Sequence, residues 1–264
     1  MSATIRRLLR TVLLGACLVA LPARAVDYTD IWWIPEESGW GLNVVQADNV
    51  LFLTFFIYGA DTKPTWYTAI LNWDGVAYSG GLFATQGTYY ALPWNPALRG
   101  VAQVGTATFQ PDNLNAYQAT LTYTVNNVGT VIKAIQRQTL APIALAGSYV
   151  GGQVGGYSNC AAAGSYTDTY DLGVTQTGGV ATFTFNYADA QSVCTLSGPL
   201  EQHGQLYRIA GASYQCTGGA LADLNTTATV YEIKQTAQGI EGRLAATLNS
   251  GCQENANFSA TLKQ

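Results

Sequence analysis

Charge is scarce in this chain: Asp, Glu, Lys and Arg together make up 11% of its 264 residues. No basic cluster is present to neutralise phosphates, so nucleic acid is not an expected partner. Histidine occurs once, as His203, in the turn-like stretch "EQHGQ" between two strand-like runs. A Ser-His-Asp or Cys-His catalytic set would have to be built on that residue, and a solvated turn histidine is the simpler reading. C-x-x-C spacing is missing, which removes the usual zinc framework. A helical period is missing too. After residue 25 no apolar run approaches the roughly 20 residues a membrane helix needs. Several strand-like runs are also shorter than the 9–11 residues of a membrane barrel strand, so no transmembrane segment is expected beyond the leader.

That leader is "MSATIRRLLRTVLLGACLVALPARA", with an arginine-rich start, an apolar run over residues 11–21 and the small-x-small pattern Ala23-Arg24-Ala25. It reads as a secretory signal (residues 1–25) cut after Ala25, giving a periplasmic or extracellular protein. A lipoprotein cut at Cys17 in "LGAC" is the competing reading. Four of the 12 Lys+Arg leave with the signal, so 8 basic residues face 16 acidic ones and the net charge becomes −8.

Cysteine and tryptophan divide what remains. All six tryptophans fall between Trp32 and Trp94, whereas Cys160, Cys194, Cys216 and Cys252 all lie after residue 159. Four cysteines in an exported chain imply two disulfides, with three pairings open. A seam at "LAPIALAG" separates a Trp-rich domain, 26–140, from a disulfide-containing domain, 141–264. Both read as β. "YQATLTYTV" alternates, with Tyr117, Ala119, Leu121, Tyr123 and Val125 on one face. "NN" then turns the chain into "GTVIKAIQRQ" as a hairpin. "VATFTFNYA" alternates likewise in the second half. "VLFLTFFIY" is apolar on both faces, which calls for a covered outer side. The expectation is all-β: two tandem small antiparallel barrels of the meander kind, calycin- or avidin-like in style, or sandwiches. The glycine doublets of "GGQVGG" (151–156) are followed by neither Lys-Ser/Thr nor a helix, so phosphate-loop physics is absent. They read as a flexible or bulged strand edge, and no cofactor is expected.

"DYTDIWWIPEESGWGLNVVQ", "FIYGADTKPTWYTA", "YALPWNPALRGVAQVGTATF" and "LTYTVNNVGTVIKAIQRQ" occur in that order over about residues 27–138. Together they resemble an exported proteobacterial β-repeat family that carries the run WW.P.ESGWG and has no assigned activity. Thr62 stands where that family often has Gly in the hairpin turn. The second half resembles, more weakly, cysteine-containing β domains of exported proteins. The resemblance implies export and β architecture, and it supplies no catalytic residue.

Carboxylates are then the only plausible catalytic groups. Glu36 and Glu37 lie near Asp27, Asp30 and the tryptophans, as an acid pair beside an aromatic platform would in a glycosidase. Adjacent glutamates on an extended chain point apart, and a polar turn explains them without chemistry. The tryptophans carry more information. Trp40 and Trp66 sit in apolar runs and are expected in the core. Trp94, in the Pro-bounded "LPWNPALRG", is expected at the surface, and one of Trp32 and Trp33 must face outward. Trp32, Trp33, Trp94, Tyr67 and Asn72 are the candidate ligand-binding residues. The expected function is non-enzymatic recognition of a glycan, a cell-envelope component or a small ligand through the Trp-rich domain. The alternative is a periplasmic inhibitor or protein-interaction module presenting the segment 155–171 to a protein partner.

Overall fold

A computed structural model describes residues 26–263, apart from 113, 114, 162, 223 and the side chain of 220; the expected secretory signal, 1–25, lies outside the described residues. Alternation of apolar and polar residues produces sixteen strands in two closed antiparallel barrels. The first barrel comprises β1 (Asp30–Trp33), β2 (Gly41–Ala47), β3 (Val50–Tyr58), β4 (Pro64–Trp73), β5 (Tyr78–Gln86), β6 (Gly100–Asp112), β7 (Asn115–Val125) and β8 (Gly129–Arg137). The second comprises β9 (Gly147–Ser158), β10 (Gly164–Thr177), β11 (Val180–Tyr187), β12 (Ser192–His203), β13 (Leu206–Thr217), β14 (Asn225–Gln235), β15 (Gly239–Thr247) and β16 (Gln253–Leu262). Within each barrel the strands pair in sequence order, and β1–β8 and β9–β16 close the two rings. The sandwich alternative is thereby excluded.

Inward positions fill each barrel with side chains. In β7, Tyr117, Ala119, Leu121 and Tyr123 are buried while Gln118, Thr120 and Thr122 point out. Phe55, Phe109 and Leu42 complete the first core, and Phe183, Phe185 and Phe258 lie in the second. Burying such side chains is worth roughly 1.5–3 kcal/mol each. The hairpin after β7 forms as the "NN" pair predicts, with Asn127 at φ +61°.

Closure of the first barrel is slight in backbone terms. β1 is four residues long and meets β8 only at Trp32–Arg137 and Trp33–Gln136. Side chains reinforce the seam in two layers. Arg137 Cζ lies 4.9 Å from the Trp32 ring and pairs with Asp30. Four residues earlier on the same face of β8, Lys133 Nζ lies 4.9 Å from the Trp40 ring and pairs with Glu37. Stacking of cations on indole faces combines here with ion pairing. Asp30, Trp32, Glu37 and Trp40 of "DIWWIPEESGWG" thus clasp one strand seam.

The strand order puts the connections 34–40, 59–63, 87–99 and 126–128 at one end of the first barrel, the distal end. The other end meets the second barrel through β12–β15. Gln205 donates its N–H to Asp30, Lys234 pairs with Asp27 at 2.7 Å, and Tyr117 stacks on His203 at 4.4 Å. The Tyr117 hydroxyl donates to the Tyr207 carbonyl and accepts from the Glu232 N–H. Linker residues lie against the second barrel, where Ile143 exchanges two hydrogen bonds with the Tyr207 hydroxyl.

Three expectations are corrected. The outer side of β3 is not covered by the second barrel: Phe52, Phe56 and Tyr58 are 43%, 52% and 54% exposed. "GGQVGG" is neither flexible nor bulged but lies within β9, paired on both sides. Its glycines serve close packing, since a Cβ on Gly151 would stand 2.1 Å from the Ser259 carbonyl oxygen. Segment 155–171 is no long loop, because β9 and β10 take most of it and leave the turn 159–163.

Candidate functional site

The pairing of β4 with β5 runs from Trp73–Tyr78 to Thr68–Phe83 and stops there. β5 stays paired with β6 as far as Gln86–Gly100. The β5–β6 ribbon therefore leaves the barrel wall at the distal end and becomes a two-stranded arm. Val101, Ala102 and Gln103 are all exposed, so both faces of its β6 strand are open to solvent. The connection 87–99 tips the arm. Asn95 caps a 3-10 turn at Pro96–Leu98 by accepting the Ala97 N–H, and the Thr88 hydroxyl accepts the Asn95 N–H. Trp94 is placed beside Gly87, where a Cβ would meet the indole at 3.3 Å.

This arm carries an unusual load for a surface element. Tyr89, Tyr90, Leu92, Trp94, Leu98 and Val101 are 59%, 90%, 61%, 63%, 51% and 65% exposed. Arg99 is its single charged residue. Exposed aromatic rings on an ordered loop offer CH–π stacking surfaces at low entropic cost. On the neighbouring strands, Val45, Phe52 and Ile70 line up across β2–β4, with Phe56 beside Trp66 two repeats nearer the distal end. Trp66, expected in the core, is 51% exposed: it lies on the outward phase of β4.

The candidate residues distribute unevenly over this frame. Trp94 is on the arm, and Tyr67 faces inward near the distal start of β4, packed against the core. Trp33 is the outward member of its pair and is half-buried. Trp32 is completely buried, with its indole N–H donated to the Tyr28 carbonyl, so it presents no surface to a ligand in this barrel. Asn72 is exposed near the opposite end of β4, roughly 20 Å along the strand from Trp66. The structure therefore groups Trp94 and Tyr67 at one end and leaves Asn72 at the other. Trp40, expected in the core, is half-buried there at the distal end, and its indole N–H has no hydrogen-bond partner among the described residues. Sequence reasoning passed over Tyr89 and Tyr90, although their place beside the Pro-bounded loop was the available signal.

Glu36 and Glu37 form no acid pair. Glu36 is exposed on the 3-10 turn Pro35–Glu37, and Glu37 is engaged with Lys133. Among the described residues no group of His, Cys, Asp and Glu could hold a metal ion. His203 is held between Tyr117 and Glu201, whose carboxylate is 3.6 Å from Nε2. Burial, with Arg208 and Arg137 nearby, keeps its imidazole below the usual histidine value against the pull of Glu201.

The cysteines pair as Cys160–Cys252 and Cys194–Cys216. The first ties the 159–163 turn to the β15–β16 connection, and the second bridges β12 and β13 within the core. Both brace the second barrel, most strongly at its end remote from the first, and both fit an oxidising compartment.

A cleft of about 750 Å³ lies on the outer face of β6–β8 beneath Ile34–Glu36, with Gln110, Gln118 and Thr120 in its lining. It is open and has no aromatic platform. A second cleft, about 530 Å³, lies between the two barrels and is lined by Tyr28, Trp73, Arg208 and Tyr231 among others.

No family model matches the chain, and no curated protein does. Among solved structures, the "crystal structure of a putative outer membrane protein" from Bacteroides fragilis is similar over 80% of this chain and 88% of its own. The identity is 10% and the TM-score 0.33, a likeness that carries no argument here. No helix is long and apolar enough to cross a membrane, which says nothing about membrane crossing by strands.

Proposed function

We propose that this is an exported, non-enzymatic binding module that engages a glycan of the cell envelope through the aromatic arm of its first barrel. The observation that carries this reading is the arm itself: an ordered projection with Tyr89, Tyr90 and Trp94 exposed. Rings of this kind stack on the CH faces of sugars, and the exposed amides of Asn95 and Gln103 suit their hydroxyls. Export is supported by the leader sequence and by the two disulfides. The resemblance to the exported β-repeat family belongs to the same reading.

A second reading is recognition of a protein partner, favoured by Leu92, Leu98 and Val101 on the same arm, since sugars give little reason to expose aliphatic side chains. Retention of the purified protein on envelope polysaccharide supports the first reading. Stoichiometric capture of one protein from a periplasmic extract, with no polysaccharide retention, would replace it with the second.

A further inference from the structure

We propose that the crevice between the two barrels is a ligand site separate from the arm, taking a small ring-bearing carboxylate with its anionic end on Arg208. Its volume, about 530 Å³, is that of a small-molecule site, and junctions between domains are where such sites concentrate. Each barrel supplies an aromatic wall. From the first come Tyr28 and Trp73, the latter 39% exposed and held by its tilted contact with Tyr78 at 4.8 Å. From the second comes Tyr231 on β14.

The charges in the crevice are unequal. Arg243 is bonded to Glu232 at 3.1 Å, so that pair is neutral as a unit. Arg208 stands opposite Glu201 in the β12–β13 ladder, yet it has no ion-pair partner among the described residues, Glu201 lying against His203 instead. Asp112, exposed at the end of β6, is the remaining charge in the lining. A guanidinium without a counter-ion in a half-enclosed aromatic crevice matches a carboxylate, whose two oxygens fit its fork. The floor is fixed, because the Tyr117 hydroxyl is engaged on both sides by Tyr207 and Glu232. Burial pushes the Tyr28 and Tyr117 phenols up to about 12, so at neutral pH neither adds a negative charge that would repel an anion.

A ring between aromatic walls belongs either to an aromatic acid, which stacks its flat face, or to a sugar acid, which presents its CH face. Calorimetric titration of the full two-barrel protein with phenylacetate and with D-glucuronate separates the two. Phenylacetamide and methyl glucoside are the uncharged controls. We expect one of the acids to bind about tenfold or more tighter than its neutral control, with that preference lost in Arg208→Gln and reduced in Arg208→Lys. Trp94→Ala should leave it unchanged. If both acids bind no better than their controls, or if correctly folded Arg208→Gln binds as the wild type does, the proposal is overturned. Should Arg208→Gln fail to fold, Arg208→Lys decides, and unaltered affinity in it overturns the fork contact.

Discussion

Arg137 Nη1 lies 3.2 Å from Asp30 Oδ2, and the two side chains are 1% and 2% exposed. The same carboxylate oxygen accepts the Gln205 N–H from the second barrel at 3.0 Å. One buried ion pair thus closes the first barrel and also joins it to the second. Asp30→Ala leaves the guanidinium buried without its anion, and should cost about 3–5 kcal/mol in urea unfolding. Glu37→Gln touches the distal pair of the same seam, where the Glu37 side chain is 45% exposed, and should cost no more than about 1 kcal/mol. Equal effects at the two sites would contradict the two-layer clasp.

Gly204 closes the contact from the other side. Its φ is +63°, and a Cβ there would lie 2.2 Å from Asp30 Oδ2 and 2.8 Å from Arg137 Cβ. Gly204→Ala should therefore cost about 2–4 kcal/mol through backbone strain and overpacking together. It should also loosen the barrels from each other, seen as faster proteolysis within residues 138–146.

Removing the disulfides should have unequal consequences. The Cys160–Cys252 bond spans 92 residues and Cys194–Cys216 spans 22. Loop-closure entropy then assigns about 4.6 kcal/mol to the first and about 3.4 kcal/mol to the second. Paired Cys→Ser variants compared by thermal melting should rank in that order. Because Cys194 and Cys216 are core residues, a reversed order would show that packing outweighs chain entropy in this barrel.

Two carboxylates should give opposite pH signatures. Burial alone would raise Asp27, but the Lys234 ammonium and the Thr29 amide and hydroxyl hold it below its usual 3.8. A depressed folded-state value means that its contribution is present above the unfolded value and is lost as pH falls through the folded one. The stability difference between wild type and Asp27→Asn should therefore shrink below about pH 4. Glu254 is buried on an inward position of β16, accepts the Tyr166 hydroxyl, and has its value raised by burial and by Asp168 against that hydrogen bond. Here stability is lost as pH rises through the folded value, so Glu254→Gln should gain on wild type more at pH 8 than at pH 4. Urea midpoints across pH 3–8 test both signs.

The all-β architecture was legible because two-residue periodicity is a local signal, and "YQATLTYTV" and "VATFTFNYA" sit in the alternating strands β7 and β11, with Tyr117, Ala119, Leu121 and Tyr123 sharing the inward face of β7. The role of "IWWIPEESGWG" was not. Its partners Lys133 and Arg137 are about a hundred residues away, and only closure of the barrel brings β8 against β1. The phase of Trp32 relative to Trp33 escaped for a related reason, since a four-residue strand gives alternation too little length to fix it. Trp66 was misplaced because its strand is apolar on both faces, so composition could not show which face meets water. Trp94 was legible through its Pro-bounded loop. The arm was not, because a strand pair leaving a sheet depends on where β4 ceases to bond β5.

The central claim, recognition of an envelope glycan by the arm, is tested most directly by co-sedimentation with purified peptidoglycan and with envelope polysaccharide. The comparison is between wild type and the Tyr90→Ala/Trp94→Ala double variant. Both side chains are mostly exposed and outside the core, so the variant should melt as the wild type does. The account predicts that wild type sediments with at least one of the two polymers and that the variant stays in solution. Equal sedimentation of the two proteins, or failure of wild type to sediment with either polymer, would contradict it.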